Sequence, residues 1–299
     1  MLTMRNRSRI MASMKKLDPK ARAQVLHALM EGVSIRATGR LTGVSKTTIL
    51  KLIEDAGQAA AWYQDRVFQN VQSKRIQVDE IFGFVGSKPA NTSAEKKLTG
   101  EAGECWVWLA TDADTKLVPC WHVGGRGGDS ALVFLDDLAS RLVNRVQLSS
   151  DQHHAYANAV EEAFGADVDY GQIVKIFGQP KGSIKWQQYT APICIGTRKS
   201  AIVGHPDPKH ISTSFAERNN LNIRMHSRRM TRLTNAFSKK LANHRHAMAL
   251  HFLYYNFVRV HQTLKVSPAM AAGITKRLWE MSDVVGMLEA WEAIQQRGE

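Results

Sequence analysis

Hydrophobic and polar positions follow two periods along this chain, helical at the amino end and strand-like in the middle. From Leu17 the apolar residues Val25, Leu26, Leu29 and Met30 form a helical stripe that ends at Gly32. Asp18 before Pro19 predicts the cap of that helix, and Ser34 that of a second with Ile35, Ala37 and Leu41. Gly43 makes the turn, and Ser45 caps a third helix through Thr48, Ile49, Leu52 and Ile53. Gln58 to Ser73 reads as a helical connector, without the proline or glycine cluster of a loose linker.

At Arg75 the period becomes two. Arg75–Val85 predicts a buried strand with Ile76, Val78, Glu80, Phe82 and Phe84 on one face, and Gln77, Asp79, Ile81 and Gly83 on the other. The polar stretch Gly86 to Gly103 is expected to be a mobile loop. The runs from Cys105 and Lys116 then flank Asp112-Ala-Asp-Thr as a β-hairpin, and turn chemistry accounts for Asp112 and Asp114. Asp129 is expected to cap a helix buried through Leu132, Phe134, Leu135, Leu138 and Leu142, with Asp136 and Asp137 solvated. Arg145–Ser150 and Asp169–Phe177 read as strands, and a helix begins just after Asp151.

Residues 178–211, rich in proline and glycine, are expected to be a long irregular insertion. Their Lys181, Lys185, Arg198, Lys199 and Lys209, interleaved with Trp186 and Tyr189, suit a loop lying along nucleic acid. A helix from Ser212 carries a Ser214/Glu217 capping box, with Arg224 and Arg228 on the same row as Glu217 and Arg229 and Arg232 beside it. Leu241–His261 reads as one long core helix.

The balance of charge narrows the partner. A formal charge of +13 and a pI near 9.8 point to a polyanion, most simply nucleic acid. No apolar run has membrane-spanning length. Met1 to Lys16 is basic without a signal-peptide apolar segment, and Met4, Met11 and Met14 are alternative starts. Cys105, Cys120 and Cys194 form no Cys-x-x-Cys pair; either the first two face each other across the hairpin or they are buried thiols of a reducing cytoplasm.

A carboxylate in an apolar strand is costly unless paired or bound to metal. Asp79 is such a residue; Asp151 ends a strand, and Glu217 starts a basic helix. The plain alternatives are a neighbouring cation for Asp79, and helix capping for Asp151 and Glu217. The order strand, strand end, helix, with a hairpin and a helix between the first two, describes a ribonuclease H-like α/β core. Its mixed five-stranded sheet would be flanked by helices and preceded by an all-α helix-turn-helix. The first turn of the third helix, Ser45, Lys46, Thr47, Thr48 and Lys51, would enter the major groove. A three-helix dimerisation bundle is the alternative.

The residues Val78-Asp79-Glu80, Ser150-Asp151, Phe215-Ala-Glu217-Arg-Asn-Asn with Arg224, and Tyr255-Asn256 with Arg259 and His261 carry a resemblance. On them the sequence resembles the DDE transposases, specifically the insertion-sequence-one family of bacterial mobile elements. The likeness runs from the helix-turn-helix to the Pro268 region, but the family's cysteine zinc-binding element is missing from the amino end.

The resemblance implies Mg²⁺ or Mn²⁺ held by Asp79, Asp151 and Glu217, with Glu80 the rival of Asp79. It also implies Arg224 on a phosphate, with Arg228 and Arg232 along the backbone. The activity implied is cleavage at inverted-repeat ends and joining of 3′-hydroxyls to target double-stranded DNA. It would be carried out in the cytoplasm, at the nucleoid, by a homodimer or larger homo-oligomer. A catalytically silent DNA-binding regulator and a nuclease without strand transfer are the other readings. The layout expected is an extension (1–16), the helix-turn-helix (17–60), a connector (61–74), a catalytic domain (75–265) and a helical tail (266–299).

Overall fold

A computed structural model describes residues 16–178, 193–231 and 234–298. Arg232, and Lys181, Lys185, Trp186 and Tyr189 of the insertion, lie outside the described residues.

The amino-terminal helices are α1 (Pro19–Met30), α2 (Ile35–Thr42) and α3 (Lys46–Val67). Asp18, Ser34 and Ser45 cap them, accepting the amides of Ala21, Ala37 and Thr48 at 2.8, 3.2 and 3.2 Å. Gly43 closes α2 at φ +71, where a Cβ would be strained. Nothing between Ile53 and Val67 stops the helix, so the third helix and the first part of the expected connector form one continuous 22-residue helix that ends at Val67.

The strands are β1 (Arg75–Val85), β2 (Gly103–Asp112), β3 (Trp121–Gly124), β4 (Val146–Ser150), β5 (Val168–Gly178) and β6 (Ile193–Val203). They form a six-stranded mixed sheet, ordered β3-β2-β1-β4-β5-β6, rather than the five strands expected. β1, β4 and β5 run parallel; β2, β3 and β6 are antiparallel to their neighbours. The sixth strand lies in the segment expected to be irregular. It is rich in β-branched residues, of which Ile193, Thr197 and Val203 pair with β5 while Ile195 and Ile202 fall at two irregularities of the ladder, and most of the prolines and glycines of the insertion flank it.

The remaining helices are α4 (Ala94–Leu98), α5 (Gly128–Arg141), α6 (His154–Phe164), α7 (Ser214–His226), α8 (Leu241–Leu253), α9 (Pro268–Ala271) and α10 (Met281–Arg297). The Gly86–Gly103 stretch is not a bare loop: it holds a 3₁₀ turn at Pro89–Asn91 and α4. α5 is capped by Gly127, with Asp129 in its first turn. Asp137 is not a solvated residue there, because it pairs with Arg141 at 2.7 Å and accepts the Cys120 thiol at 3.0 Å. α8 gives way to a π-helical turn at Tyr254–Val258 and does not reach His261. Cys105 lies opposite Gly83, whereas Cys120 lies beside Ala110, so the two buried thiols do not face each other.

The alternation of β1 sorts the core into two layers. Ile76 and Val78 pack with Trp108, Phe134, Leu138 and Tyr156 beneath α5 and α6. Ile81 packs with Leu109, Ile223, Met248 and Phe252 beneath α7 and α8. A third core joins the two ends of the chain: Val25, Leu26, Ile49 and Ile53 meet Leu250, Leu253, Val284 and Leu288. Among the described residues no helix is long and apolar enough to cross a membrane.

Candidate functional site

The face of β1 that carries Asp79 is covered by α7, and polar side chains fix the docking. Gln77 Oε1 accepts the amides of Phe215 (2.7 Å) and Ala216 (3.4 Å), satisfying two of the free donors at the start of α7. The expected Ser214 cap is not formed; Thr213 holds the cap position. Asn219 donates to Thr111 Oγ1 at 2.9 Å, and Asn220 donates to Asp79 Oδ2 at 2.8 Å. The Phe-Ala-Glu-Arg-Asn-Asn run therefore lays α7 across β1 and β2.

Asp79 Oδ1 also accepts the amide of Glu80 at 2.9 Å. Burial, the Glu80 charge, and then Asp151 and Glu217 push the Asp79 carboxyl up to about 8, against that amide bond. Arg75, Ile76 and Gln77 pair in parallel with Gln147, Leu148 and Ser149, and Asp151, just past the end of β4, is near enough for its charge to act on Asp79. Asp151 Oδ1 accepts the amide of His153 at 2.9 Å, but it does not cap α6; His153 Nδ1 does, from Ala155 at 3.1 Å.

Glu217 is exposed, tied to Lys175 Nζ, and accepts Thr213 Oγ1 at 2.6 Å. Three carboxylates therefore stand around the middle of β1, with Asp151 and Glu217 near enough to act electrically on Asp79. Their hard oxygens suit a divalent cation. Among the described residues, however, no three His, Cys, Asp or Glu side chains converge closely enough to share a metal ion. Glu217 is paired with Lys175 instead.

Glu80 points to the opposite face, where its burial is fully explained. Its carboxylate takes Arg126 Nη2 at 3.1 Å and the Tyr156 hydroxyl at 3.0 Å, with His153 Nε2 4.0 Å away. Arg126 in turn lies over the Trp106 ring, 4.4 Å from its centroid. Burial and the Asp151 charge raise the Glu80 pKa; Arg126 and Tyr156 oppose them.

The arginine row expected beyond Glu217 is broken. Thr231 Oγ1 donates to the carbonyl of Arg224 at 3.1 Å, α7 stops at His226, and Arg228 lies in the turn that follows. Arg224 donates to the carbonyls of Met230 (3.1 Å) and Phe82 (3.3 Å), holding that turn on β1. Arg229 donates to Ser238 Oγ at 2.9 Å, and burial pushes its pKa down to about 10. Tyr255 and Asn256 brace the hairpin: Tyr255 donates to the Lys116 carbonyl at 3.0 Å, and Asn256 makes bonds of 3.0 and 2.9 Å to the amide and carbonyl of Val118.

At the amino end Ser45, Lys46 and Thr47 are exposed and Thr48 half-buried, while Lys51 pairs with Asp55 at 2.7 Å. Lys46 and Arg228, expected on separate surfaces, line one cleft of about 610 Å³ between the amino-terminal helices and the turn after α7. Arg36, Arg229 and Lys239 line it too. No protein-family model matches this chain, and no curated protein matches it.

Proposed function

We propose that the chain is a metal-dependent DNA transposase, in which α1–α3 act as a helix-turn-helix and the sheet as a ribonuclease H-like catalytic core. The observation that carries this reading is Asp79 on β1 beside Asp151, which directly follows the parallel strand β4, with Glu217 on the helix that Gln77 and Asn220 dock on β1 and both charges near enough to act on Asp79. The first five strands in the order β3-β2-β1-β4-β5 support the core assignment.

Asp79 and Asp151 would hold Mg²⁺ or Mn²⁺, joined by Glu217 when it leaves Lys175. Such ions supply an activated water or 3′-hydroxyl and stabilisation of the departing oxygen. The chain's own part is positional and protonic. Gln77 and Asn220 fix α7, and an Asp79 carboxyl at about 8 keeps its proton at neutral pH until it becomes a ligand. Ser45, Lys46, Thr47 and Thr48 would meet base edges and phosphates of double-stranded DNA, and the active form would be a homodimer or larger. The Lys175–Glu217 pair, with no three carboxylates converging among the described residues, favours a second reading, a silent DNA-binding regulator.

The test mixes the purified chain with labelled duplexes taken from both sides of its own coding sequence, adds Mg²⁺ or Mn²⁺, and resolves cleaved and joined products on a gel. The transposase reading expects both products, reduced by roughly a hundredfold or more in Asp79→Asn, Asp151→Asn and Glu217→Gln. Normal cleavage in any one variant removes that residue from the set. Binding without cleavage establishes the regulator.

A further inference from the structure

The cleft between the amino-terminal helices and the turn after α7 combines cations with apolar side chains. Among the described residues five cations line it, Arg36, Lys46, Arg228, Arg229 and Lys239, and no carboxylate does. Its floor is apolar, built from Leu29, Met30, Ile35, Leu50, Ile53 and Ala247, with Phe237 at the side.

Arg229 is the second, independent signal. Among the described residues its guanidinium has no anionic partner, and Nη2 is buried without a hydrogen bond. A buried cation without a counter-charge is costly, and an anion entering the cleft would relieve that cost. His226 Nε2, also lining the cleft, is likewise buried and unbonded. Lys239 Nζ lies 3.3 Å from the centroid of the Phe237 ring, which keeps a second cation at the wall.

A space of about 610 Å³ falls in the range of roughly 300–1,000 Å³ that sites for single small ligands occupy, and a duplex cannot enter it. We propose that this cleft holds one unpaired nucleotide, its base on the apolar floor and its phosphate at Arg229, Arg228 and Lys239. The shared chemistry is a nucleoside monophosphate, which could come free or as part of a DNA strand. The inference rests on the transposase reading only for that source, since the cleft is separate from Asp79, Asp151 and Glu217.

The experiment is a set of fluorescence-anisotropy titrations of the full chain. The probes are a labelled single strand, an abasic strand of equal length, and a blunt duplex, with dAMP as competitor. The single strand should bind most tightly, and the abasic strand roughly tenfold or more weakly, the factor that stacking one base carries. Lys239→Ala, at an exposed position, and Arg229→Ala should weaken single-strand binding about tenfold while changing duplex binding less than threefold. Thermal melting of each variant establishes that it is folded.

Competition by dAMP assigns a free nucleotide; single-strand binding that dAMP leaves intact assigns a strand. Equal losses on duplex and single strand would overturn the proposal, because the cleft would then be only part of a general basic surface. So would equal affinity for the abasic strand. Failure of cleavage with single-strand binding preserved would sink the transposase reading and leave this one standing.

Discussion

Asp79→Asn should make this protein more stable, and the gain should grow with pH. The carboxyl is pushed up to about 8 by burial and by its neighbours Glu80, Asp151 and Glu217. Between the ordinary aspartate value and about 8 the folded chain holds a proton that the unfolded chain has released. Stability therefore falls as pH rises through that window, by at most about 1.4 kcal/mol per pH unit. From pH 5 to pH 7 the ceiling is about 2.7 kcal/mol, and partial exposure of Asp79 brings it to roughly 1–2 kcal/mol.

The asparagine variant carries no such penalty. It keeps the Glu80 amide bond, and Asn220, whose Oδ1 is buried without a partner, can turn its amide to accept from the new side chain. For a domain of this size the gain is worth about 2–8 °C in Tm at pH 7 relative to pH 5. The assay is thermal melting of parent and variant at half-unit steps from pH 5 to pH 8, without and with Mg²⁺. Parallel curves for the two proteins would refute the electrostatic account of Asp79. Mg²⁺ should raise the parent's Tm at pH 8 more than the variant's, because a ligand that binds only the folded state stabilises it.

Two further changes probe the frame and the gate. Gly57→Ala should lower stability by about 1–2 kcal/mol, although alanine is the better helix former. A Cβ there would meet the His246 backbone at 2.6 Å and force α3 from α8, so a higher melting temperature would rule out that close approach. Lys175→Ala should lower the Mg²⁺ concentration for half-maximal thermal stabilisation by roughly twofold to fivefold, the factor an exposed ion pair carries. An unchanged or higher midpoint would mean that Lys175 does not hold Glu217 back.

Local signals were readable where the chain stores its information locally. Asp18, Ser34 and Ser45 each cap the helix that follows, and the alternation of β1 separates Ile76 and Val78 from Ile81 as the two cores require. Within the site, placing Asp79 and Glu80 on opposite faces followed from the same alternation. The partners that decide what Glu80 does, Arg126, Tyr156 and His153, come from distant elements, and no local pattern announces them. Arg224 misled for a related reason. Helical spacing places it in a row with Arg228, but Thr231 folds back onto its carbonyl and ends the helix between them. β6 was hidden because the prolines and glycines around it outweighed its own β-branched residues. Tyr255 and Asn256, part of the recognisable pattern, serve to hold the hairpin.

The third core has a consequence for biosynthesis. Arg22 on α1 pairs with Glu292 on α10 at 3.1 Å across a separation of 270 residues, and the amino-terminal helices share their apolar contacts with that last helix. A ribosome adding about 5–20 residues per second delivers α10 on the order of 10–50 s after α1 has emerged. For all that time α1–α3 lack part of the surface against which they fold. A nascent or prematurely ended chain is thus left with an incomplete amino-terminal helical unit, and only a chain that includes α10 can close it.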